Sequence, residues 1–312
     1  MPLDVLLINP VIPALDKILS ALYAVHRYYD QTDKAGFLRK VGPQISGVVT
    51  GGASGISNEL METMPNLRIV AINGIGTDAV DLNYARSRGI HVSTTPDVLT
   101  DDVADIAIGL LIATCRGLCV GDAYVRDGQW GKTGLPLARK FSGMKVGIVG
   151  LGRVGRAIAT RAAAFGCPVS YTDLREIAGI SCQFVPSVLE LARASDALIL
   201  AASADNAEGI VDAGVLEALG PDGYLINVAR GKLVKESDLV EALAAKRIAG
   251  AGLDVFVDEP HVPEALFAMT NVVLQPHRAS ATVQTRMAMG DIVLASLADS
   301  FAGHRPATSV TP

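Results

Sequence analysis

The segment Gly150-Leu151-Gly152-Arg153-Val154-Gly155 constrains the fold of this chain more than any other feature of its sequence. An apolar run from Met144 to Val149 precedes it and predicts a buried strand, and a helical pattern follows it. Gly150 allows a tight turn, Gly152 allows the backbone to approach a pyrophosphate, and Gly155 allows the helix to pack closely on the strand. Because free N–H groups at a helix N-terminus bind phosphates, the segment predicts a dinucleotide site.

Two residues beyond this segment bear on the choice of dinucleotide. Asp173 ends the next predicted strand, where a carboxylate would accept hydrogen bonds from the adenosine ribose and repel a 2′-phosphate. Arg175 lies two residues further on and could pair with the 2′-phosphate of NADP. The sequence therefore predicts NAD or NADP as the cofactor and favours NAD.

Apolar runs alternate with helical patterns along most of the chain, which predicts an α/β protein with parallel sheets covered by helices. The predicted strands are residues 5–8, 47–49, 68–72 and 90–92, followed by 145–149, 169–171, 197–200, 224–228, 251–255 and 272–274. The last six suit a doubly wound nucleotide-binding sheet. A helix predicted over residues 101–119 places a domain boundary near residue 99, and a terminal helix over 281–301 is expected to pack on the first unit.

The composition restricts the class of protein. A length of 312 residues suits two domains, and 50% hydrophobic with 19% charged residues indicates a folded globular chain. A net charge of -5 without a basic cluster excludes nucleic acid as a partner. No apolar run reaches the roughly 20 residues of a membrane span, and the start of the chain indicates a strand rather than a signal peptide, so a cytoplasmic protein is expected. The four cysteines match no metal-site spacing and are predicted to be reduced packing residues.

Three residues in the second half suggest an acid–base site. Arg230 follows the predicted strand 224–228, where a guanidinium could hold a carboxylate in a bidentate fork. His277 follows the last predicted strand and could donate a proton to a carbonyl oxygen that accepts a hydride. Glu259 could bond the other ring nitrogen and stabilise the imidazolium. Together with the dinucleotide site, these residues predict reduction of a 2-keto acid.

Asp254 is predicted either to bind the nicotinamide carboxamide or to cap a loop.

With these residues in place, the chain resembles the D-isomer-specific 2-hydroxyacid dehydrogenases over nearly its whole length. The matching motifs lie in family order at Val98–Asp105, Val149–Gly155, Ile226–Gly231, Gly250–Phe256 and Pro276-His277. The resemblance implies a central Rossmann cofactor domain, residues 100–281, and a flavodoxin-like substrate domain built from residues 1–99 and 282–312. It also implies closure of the cleft around the ligand and a homodimer formed through the cofactor domains.

The resemblance further implies the roles of individual residues. Arg230, Glu259 and His277 align with the family's catalytic residues, and the N–H groups of Ile75 and Gly76 with those that hold the substrate carboxylate. The predicted cofactor contacts are Thr100, Gly150, Gly152, Arg153, Val154, Gly155, Asp173, Arg175, Val228, Ala229 and Asp254. No metal is expected.

The chain also departs from the family pattern. Leu135-Pro136-Leu137 is aliphatic where relatives can carry an aromatic residue into the partner's active site, and residues 201–204 replace a Leu-Pro turn. Arg278 replaces an aliphatic residue beside His277, and its side chain is predicted to point away from the imidazole, because an inward charge would oppose protonation.

The resemblance implies NAD(P)H-dependent, reversible reduction of small 2-keto acids to D-2-hydroxy acids. Glyoxylate and hydroxypyruvate are the expected substrates, and phenylpyruvate-type acids are the alternative. A non-catalytic protein that senses dinucleotides and another enzyme of the same superfamily, such as a phosphoglycerate or formate dehydrogenase, also stay open. Formate oxidation has no keto oxygen to protonate, so the pairing of Glu259 with His277 argues against that enzyme.

Overall fold

The computed structural model describes residues 2–203 and 207–311, so Ala204, within the departing segment 201–204, lies outside the described residues. The chain divides into two compact units, Met1–Leu99 with Ala281–Pro312 and Thr100–Ser280. These are called unit 1 and unit 2. The second boundary lies between Ser280 and Ala281, one residue before the expected position.

The strands in chain order are β1 (Asp4–Leu7), β2 (Ala24–Arg27), β3 (Ile45–Thr50), β4 (Ile69–Ile72), β5 (His91–Ser93), β6 (Val146–Val149), β7 (Val169–Thr172), β8 (Gln183–Phe184), β9 (Ala197–Leu200), β10 (Tyr224–Asn227), β11 (Gly250–Leu253) and β12 (Val272–Leu274). The α-helices are α1 (Pro13–Leu22), α2 (Lys34–Val41), α3 (Asn58–Glu62), α4 (Leu82–Ser87), α5 (Thr100–Arg116), α6 (Leu118–Arg126), α7 (Arg153–Ala164), α8 (Val188–Arg193), α9 (Ala213–Leu219), α10 (Glu236–Ala244) and α11 (Val283–Phe301).

Unit 1 contains a five-stranded parallel sheet in the order β2-β1-β3-β4-β5, the flavodoxin-like order that the resemblance implied. The terminal helix α11 packs on this unit, as expected, because Val293 and Leu297 are buried in one cluster with Val5 and Leu7. The sequence patterns missed β2. This edge strand has no fully buried side chain, and its sequence Ala-Val-His-Arg therefore lacks an apolar run.

Unit 2 contains a seven-stranded parallel sheet in the order β12-β11-β10-β9-β6-β7-β8. The order reverses between β9 and β6, as in a doubly wound dinucleotide fold, so the predicted α/β class is confirmed. The sequence patterns predicted six strands and missed β8, a two-residue edge strand that is too short to show a period.

The predicted helix over residues 101–119 is in fact two helices. Gly117 takes the left-handed conformation, with φ of 60°, and the axis bends by 60° between α5 and α6. Within the described residues no single helix is long and apolar enough to cross a membrane, and this bent pair meets the criterion only when its two helices are taken together.

All four cysteines are free, and three of them are at least half-buried, as predicted for packing residues. Cys119 is exposed, so the packing prediction is wrong for this residue. The reason is that α6, which contains Cys119, buries none of its side chains against unit 2.

Candidate functional site

The glycine segment lies between β6 and α7 and leaves space for a dinucleotide. Gly150 has a φ of 89°, and a Cβ there would lie 2.6 Å from Ala202, while a Cβ on Gly155 would collide with the carbonyl oxygen of Gly150. A Cβ on Gly152 would instead meet nothing within 4 Å, and α7, whose N-cap residue is Gly152, has no side-chain cap. The backbone is therefore bare where a pyrophosphate would approach, so the residues fit the cofactor that the sequence predicts.

The Asp173 carboxylate accepts hydrogen bonds from the backbone of the same loop and from its own neighbour. One carboxylate oxygen accepts the N–H of Leu151 at 2.8 Å, and the other accepts the N–H of Leu174 at 2.7 Å. Each oxygen keeps a second lone pair, so the carboxylate can still accept a ribose hydroxyl. Arg175 is exposed two residues away.

Arg230 is presented by a tight turn at the carboxyl end of β10. The buried amide of Asn227 closes this turn, because its Nδ2 donates to the Arg230 carbonyl at 2.9 Å and its Oδ1 accepts the Ala229 N–H at 3.1 Å. The Arg230 guanidinium is half-buried and donates to the Ala229 carbonyl at 2.7 Å. Burial and these bonds limit the orientations that the guanidinium can take.

The turn that presents Arg230 packs directly on the loop after β11. A Cβ on Gly231 would collide with the backbone of Phe256, so only glycine allows the two loops to approach this closely. Phe256 in turn donates its N–H to Oε1 of Glu259 at 3.1 Å. The position of Glu259 is therefore coupled to that of the Arg230 turn.

Glu259 and His277 form the predicted pair. Nδ1 of His277 lies 2.7 Å from Oε2 of Glu259, a length typical of a charge-assisted hydrogen bond. The carboxylate can only accept, so Nδ1 carries the proton, and Nε2 is the ring nitrogen that remains to exchange a proton with a ligand. The imidazole is 40% exposed, which keeps it accessible.

The electrostatics of Glu259 favour its charged form. Burial acts to raise the pKa of Glu259. Two effects outweigh burial and hold the pKa below its ordinary value: the hydrogen bonds from His277 and from the Phe256 N–H, and the positive charges of His277 and Arg230. Glu259 is consequently a carboxylate at neutral pH and available to stabilise an imidazolium.

Asp254 holds the backbone that carries His277. Its carboxylate is 1% exposed and accepts the N–H groups of Arg278 at 2.7 Å and of Ala279 at 2.9 Å. Its carbonyl accepts the His277 N–H at 2.8 Å. His277 has a φ of 50°, a conformation that residues with a Cβ rarely adopt, and the bonds from Asp254 stabilise it. Burial is the main cause that raises the pKa of Asp254.

The remaining predicted residues are distributed over both units. Thr100 begins α5, Arg153 and Val154 begin α7, and Val228 with Ala229 is buried directly after β10, all in unit 2. Ile75 is exposed and Gly76 is buried, and both belong to unit 1. The Arg278 side chain is exposed, and its orientation relative to the imidazole stays a prediction. Among the described residues, no group of three or more His, Cys, Asp or Glu side chains could hold a metal ion.

Sequence reasoning missed the part that Asn227 plays in the turn. An asparagine between a buried strand and a Val-Ala-Arg-Gly turn is a recognisable signal, because asparagine side chains commonly bond the backbone two or three residues onward. The bonds from Asp254 to the residues after His277 join positions 24 and 25 residues apart, and no local pattern announces them.

Known proteins resemble this chain over most of its length. Residues 108–279 match the family model described as D-isomer specific 2-hydroxyacid dehydrogenase, NAD binding domain. A 2-ketogluconate reductase of Gluconobacter oxydans is 43% identical over 96% of this chain and 95% of its own length. A hydroxyphenylpyruvate reductase of Plectranthus scutellarioides is 44% identical over 99% of each chain.

A solved structure is similar across both units. The NADPH-dependent glyoxylate/hydroxypyruvate reductase of Sinorhizobium meliloti, in complex with NADP and malonate, aligns with a TM-score of 0.90 and 40% identity, over 99% of this chain and 97% of that chain.

Proposed function

The chain belongs to the D-isomer specific 2-hydroxyacid dehydrogenase family, and from this premise we propose that it reduces small 2-keto acids to D-2-hydroxy acids with NADH or NADPH. Glyoxylate and hydroxypyruvate are the proposed substrates. The observation that carries the proposal is the 2.7 Å bond between Glu259 and His277, next to the Arg230 turn and in the unit that holds the dinucleotide loop. These groups supply a proton donor, its orienting carboxylate and a carboxylate-binding cation.

The proposed mechanism assigns one task to each residue. Arg230 binds the substrate carboxylate in a bidentate fork and orients the adjacent keto group. The N-terminus of α7 and Asp173 would hold the cofactor, which would supply the hydride for the keto carbon. His277 donates the Nε2 proton to the keto oxygen, and Glu259 stabilises the imidazolium from Nδ1 until the proton leaves. In the reverse direction Nε2 accepts the hydroxyl proton.

The relatives support more than one substrate. The names of similar proteins cover 2-ketogluconate, hydroxyphenylpyruvate and glyoxylate or hydroxypyruvate. For the cofactor, the hydrogen bonds to the loop hold the Asp173 carboxylate, which would repel the 2′-phosphate of NADP, and this supports NAD. The similar solved structure, in contrast, contains NADP.

Initial rates with glyoxylate, hydroxypyruvate, pyruvate and phenylpyruvate, each with NADH and with NADPH, test both choices. Turnover of the first two acids, faster with NADH, is the expected result. Turnover of phenylpyruvate alone would mean that phenylpyruvate-type acids are the substrates instead of glyoxylate and hydroxypyruvate. Tight dinucleotide binding without turnover of any acid would favour the dinucleotide-sensing protein.

The role of His277 has its own test. His277→Ala removes the proton donor without touching the glycine loop, so kcat should fall by about 10²–10⁴-fold. The dissociation constant of NADH, measured by nicotinamide fluorescence, should stay near that of the wild type. Turnover close to wild type would mean that another group protonates the keto oxygen.

We further propose that the protein is a homodimer. In unit 2, α6 buries no side chain, and Leu118, Val125, Trp130 and Leu137 are exposed apolar residues on or shortly after it. A partner subunit would remove this apolar surface from water.

The cytoplasm is the proposed location, because four free thiols suit a reducing compartment. Cell fractionation tests the location.

A further inference from the structure

A cavity of about 530 Å³ lies within unit 2, along one side of α7. Arg156, Thr160 and Ala163 line it from α7, and residues 179–182 line it from the connection between β7 and β8. Its volume is within the roughly 300–1,000 Å³ of protein pockets that bind small molecules. The described residues that line it include none of those predicted to contact the cofactor or the substrate.

The cavity exists because the connection between β7 and β8 contains no helix. The two strands are parallel neighbours, and residues 173–182, all of them described, join them without a helix. Parallel neighbours are usually joined through a helix that covers the sheet, as α7 does between β6 and β7. Right-handed crossovers place both connections on the same face of the sheet, so the space beside α7 that a second helix would fill stays open.

Most of the lining is aliphatic. Ala159 and Ala163 of α7 contribute methyl groups, and Val169 and Ile180 contribute larger side chains. Ala163 is exposed, and Val169 and Ile180 are half-buried, so a molecule from solvent can reach this apolar surface. Among the described residues no aromatic ring lines the cavity. The lining therefore suits an aliphatic chain, which would displace water from it.

Arg156 is the one charged residue among the described residues that line the cavity. It is exposed, and its Nε donates to the Leu151 carbonyl at 3.3 Å, a bond that orients the guanidinium. Within the described part of the chain, its two terminal nitrogens donate to no other group. A guanidinium with both terminal nitrogens available binds a carboxylate in a bidentate fork.

We infer that this cavity binds an aliphatic monocarboxylate, with its chain against Ala163, Val169 and Ile180 and its carboxylate paired with Arg156. A single cation matches a single negative charge, which favours a carboxylate over a doubly charged phosphate. Binding at this cavity goes beyond the proposed function and does not depend on it, because all of the residues involved lie outside the predicted active site.

Octanoate is the probe, and Cys182 reports on the cavity. Cys182 lines the cavity and is half-buried, whereas Cys119 on α6 is exposed and does not line it. The labelling rate of each thiol by N-ethylmaleimide is measured by mass spectrometry of the peptides. Saturating octanoate should slow the labelling of Cys182 by about tenfold or more, because the reaction needs access to the thiol. The rate for Cys119 should stay unchanged, and the dependence on octanoate concentration gives the Kd.

Two variants test the two halves of the ligand. Ala163→Phe places a ring in the cavity, so octanoate should no longer change the labelling of Cys182. Arg156→Met keeps an apolar stem and removes the charge, so the Kd of octanoate should rise by about tenfold, since its charge-assisted hydrogen bonds are lost. Octanol has the same chain without the carboxylate and should bind the wild type and Arg156→Met equally.

Ala164→Phe is the matched control. Ala164 is exposed on α7 directly after Ala163 but does not line the cavity. The same ring at this position should leave the Kd of octanoate at the wild-type value. Having two test variants keeps the experiment valid if either one fails to fold, as judged by circular dichroism.

Three results would overturn the site. The first is a Cys182 rate that octanoate leaves unchanged, and the second is equal slowing at Cys182 and Cys119, which is a detergent effect. The third is a wild-type Kd in folded Arg156→Met or Ala163→Phe. Keto-acid turnover is measured separately, so a chain that reduces no acid but shows the expected protection of Cys182 keeps this site and loses only the proposed function.

Discussion

At the residue scale, Glu259 couples the charge of the site to its geometry. Its lowered pKa means that its bonds stabilise the folded protein above the ordinary value of 4.5, and that this contribution is lost as the pH falls through the lowered pKa. In Glu259→Gln the contribution is absent at every pH. The free energy of unfolding in urea should therefore differ most between the two proteins above pH 4.5, and the difference should shrink on acidification.

A difference that grows on acidification would contradict the charged form of Glu259. The same variant should reduce glyoxylate about a hundredfold more slowly, because the imidazolium loses its stabilising charge.

Asp254 gives a second prediction at this scale. In Asp254→Asn the amide nitrogen cannot accept, so the N–H of Arg278 or of Ala279 loses its partner, and stability should fall by about 1–3 kcal/mol. Because His277 is then held less firmly, kcat should fall by about tenfold to a hundredfold, with little change in the dissociation constant of NADH. A weakened NADH complex with kcat retained would instead support the predicted contact with the nicotinamide carboxamide.

At the element scale, the close contact between the loops after β10 and β11 depends on Gly231. A Cβ there collides with Phe256, so Gly231→Ala must separate the Arg230 turn from the Glu259 loop. Overpacking of this kind costs about 1–3 kcal/mol, which thermal unfolding would measure as a lower Tm. Keto-acid turnover should fall with it.

Gly152→Ala is the matched control for this variant. Its Cβ meets nothing within 4 Å and its φ is -68°, so Tm should stay close to that of the wild type. The methyl group would stand where a pyrophosphate approaches, and NADH should bind more weakly. If Gly152→Ala binds NADH normally, the assignment of this loop to the pyrophosphate is wrong.

At the scale of the whole molecule, the apolar surface on and after α6 predicts self-association. Leu137 is fully exposed, so Leu137→Lys should leave the subunit folded while placing a charge in the proposed interface. Light scattering after gel filtration should give the mass of two chains for the wild type and a concentration-dependent fall towards one chain for the variant. Phe267→Lys is the control, because Phe267 is also exposed in unit 2 but belongs neither to α6 nor to the segment that follows it. A wild type that is monomeric at micromolar concentration would remove the homodimer from the proposal.

The edge strands show the limit of pattern reading at this scale. Central strands such as β6 and β9 are buried on every residue, so their apolar runs are visible in the sequence. The edge strands β2 and β8 face solvent in part, and their sequences carry no such run. Gly117 likewise breaks a continuous apolar pattern through its backbone conformation, which the pattern does not contain.

The sequence by itself determined the α/β class, the dinucleotide loop and the candidate residues Arg230, Glu259 and His277, because each depends on residue type and on short-range order. The tertiary structure decided how these residues are held. The contact of Gly231 with Phe256 and the hydrogen bonds of Asp254 to the turn after His277 both join segments that are distant in the chain. Such contacts depend on strand order and on the packing of loops at a sheet edge, and these exist only once the chain has folded.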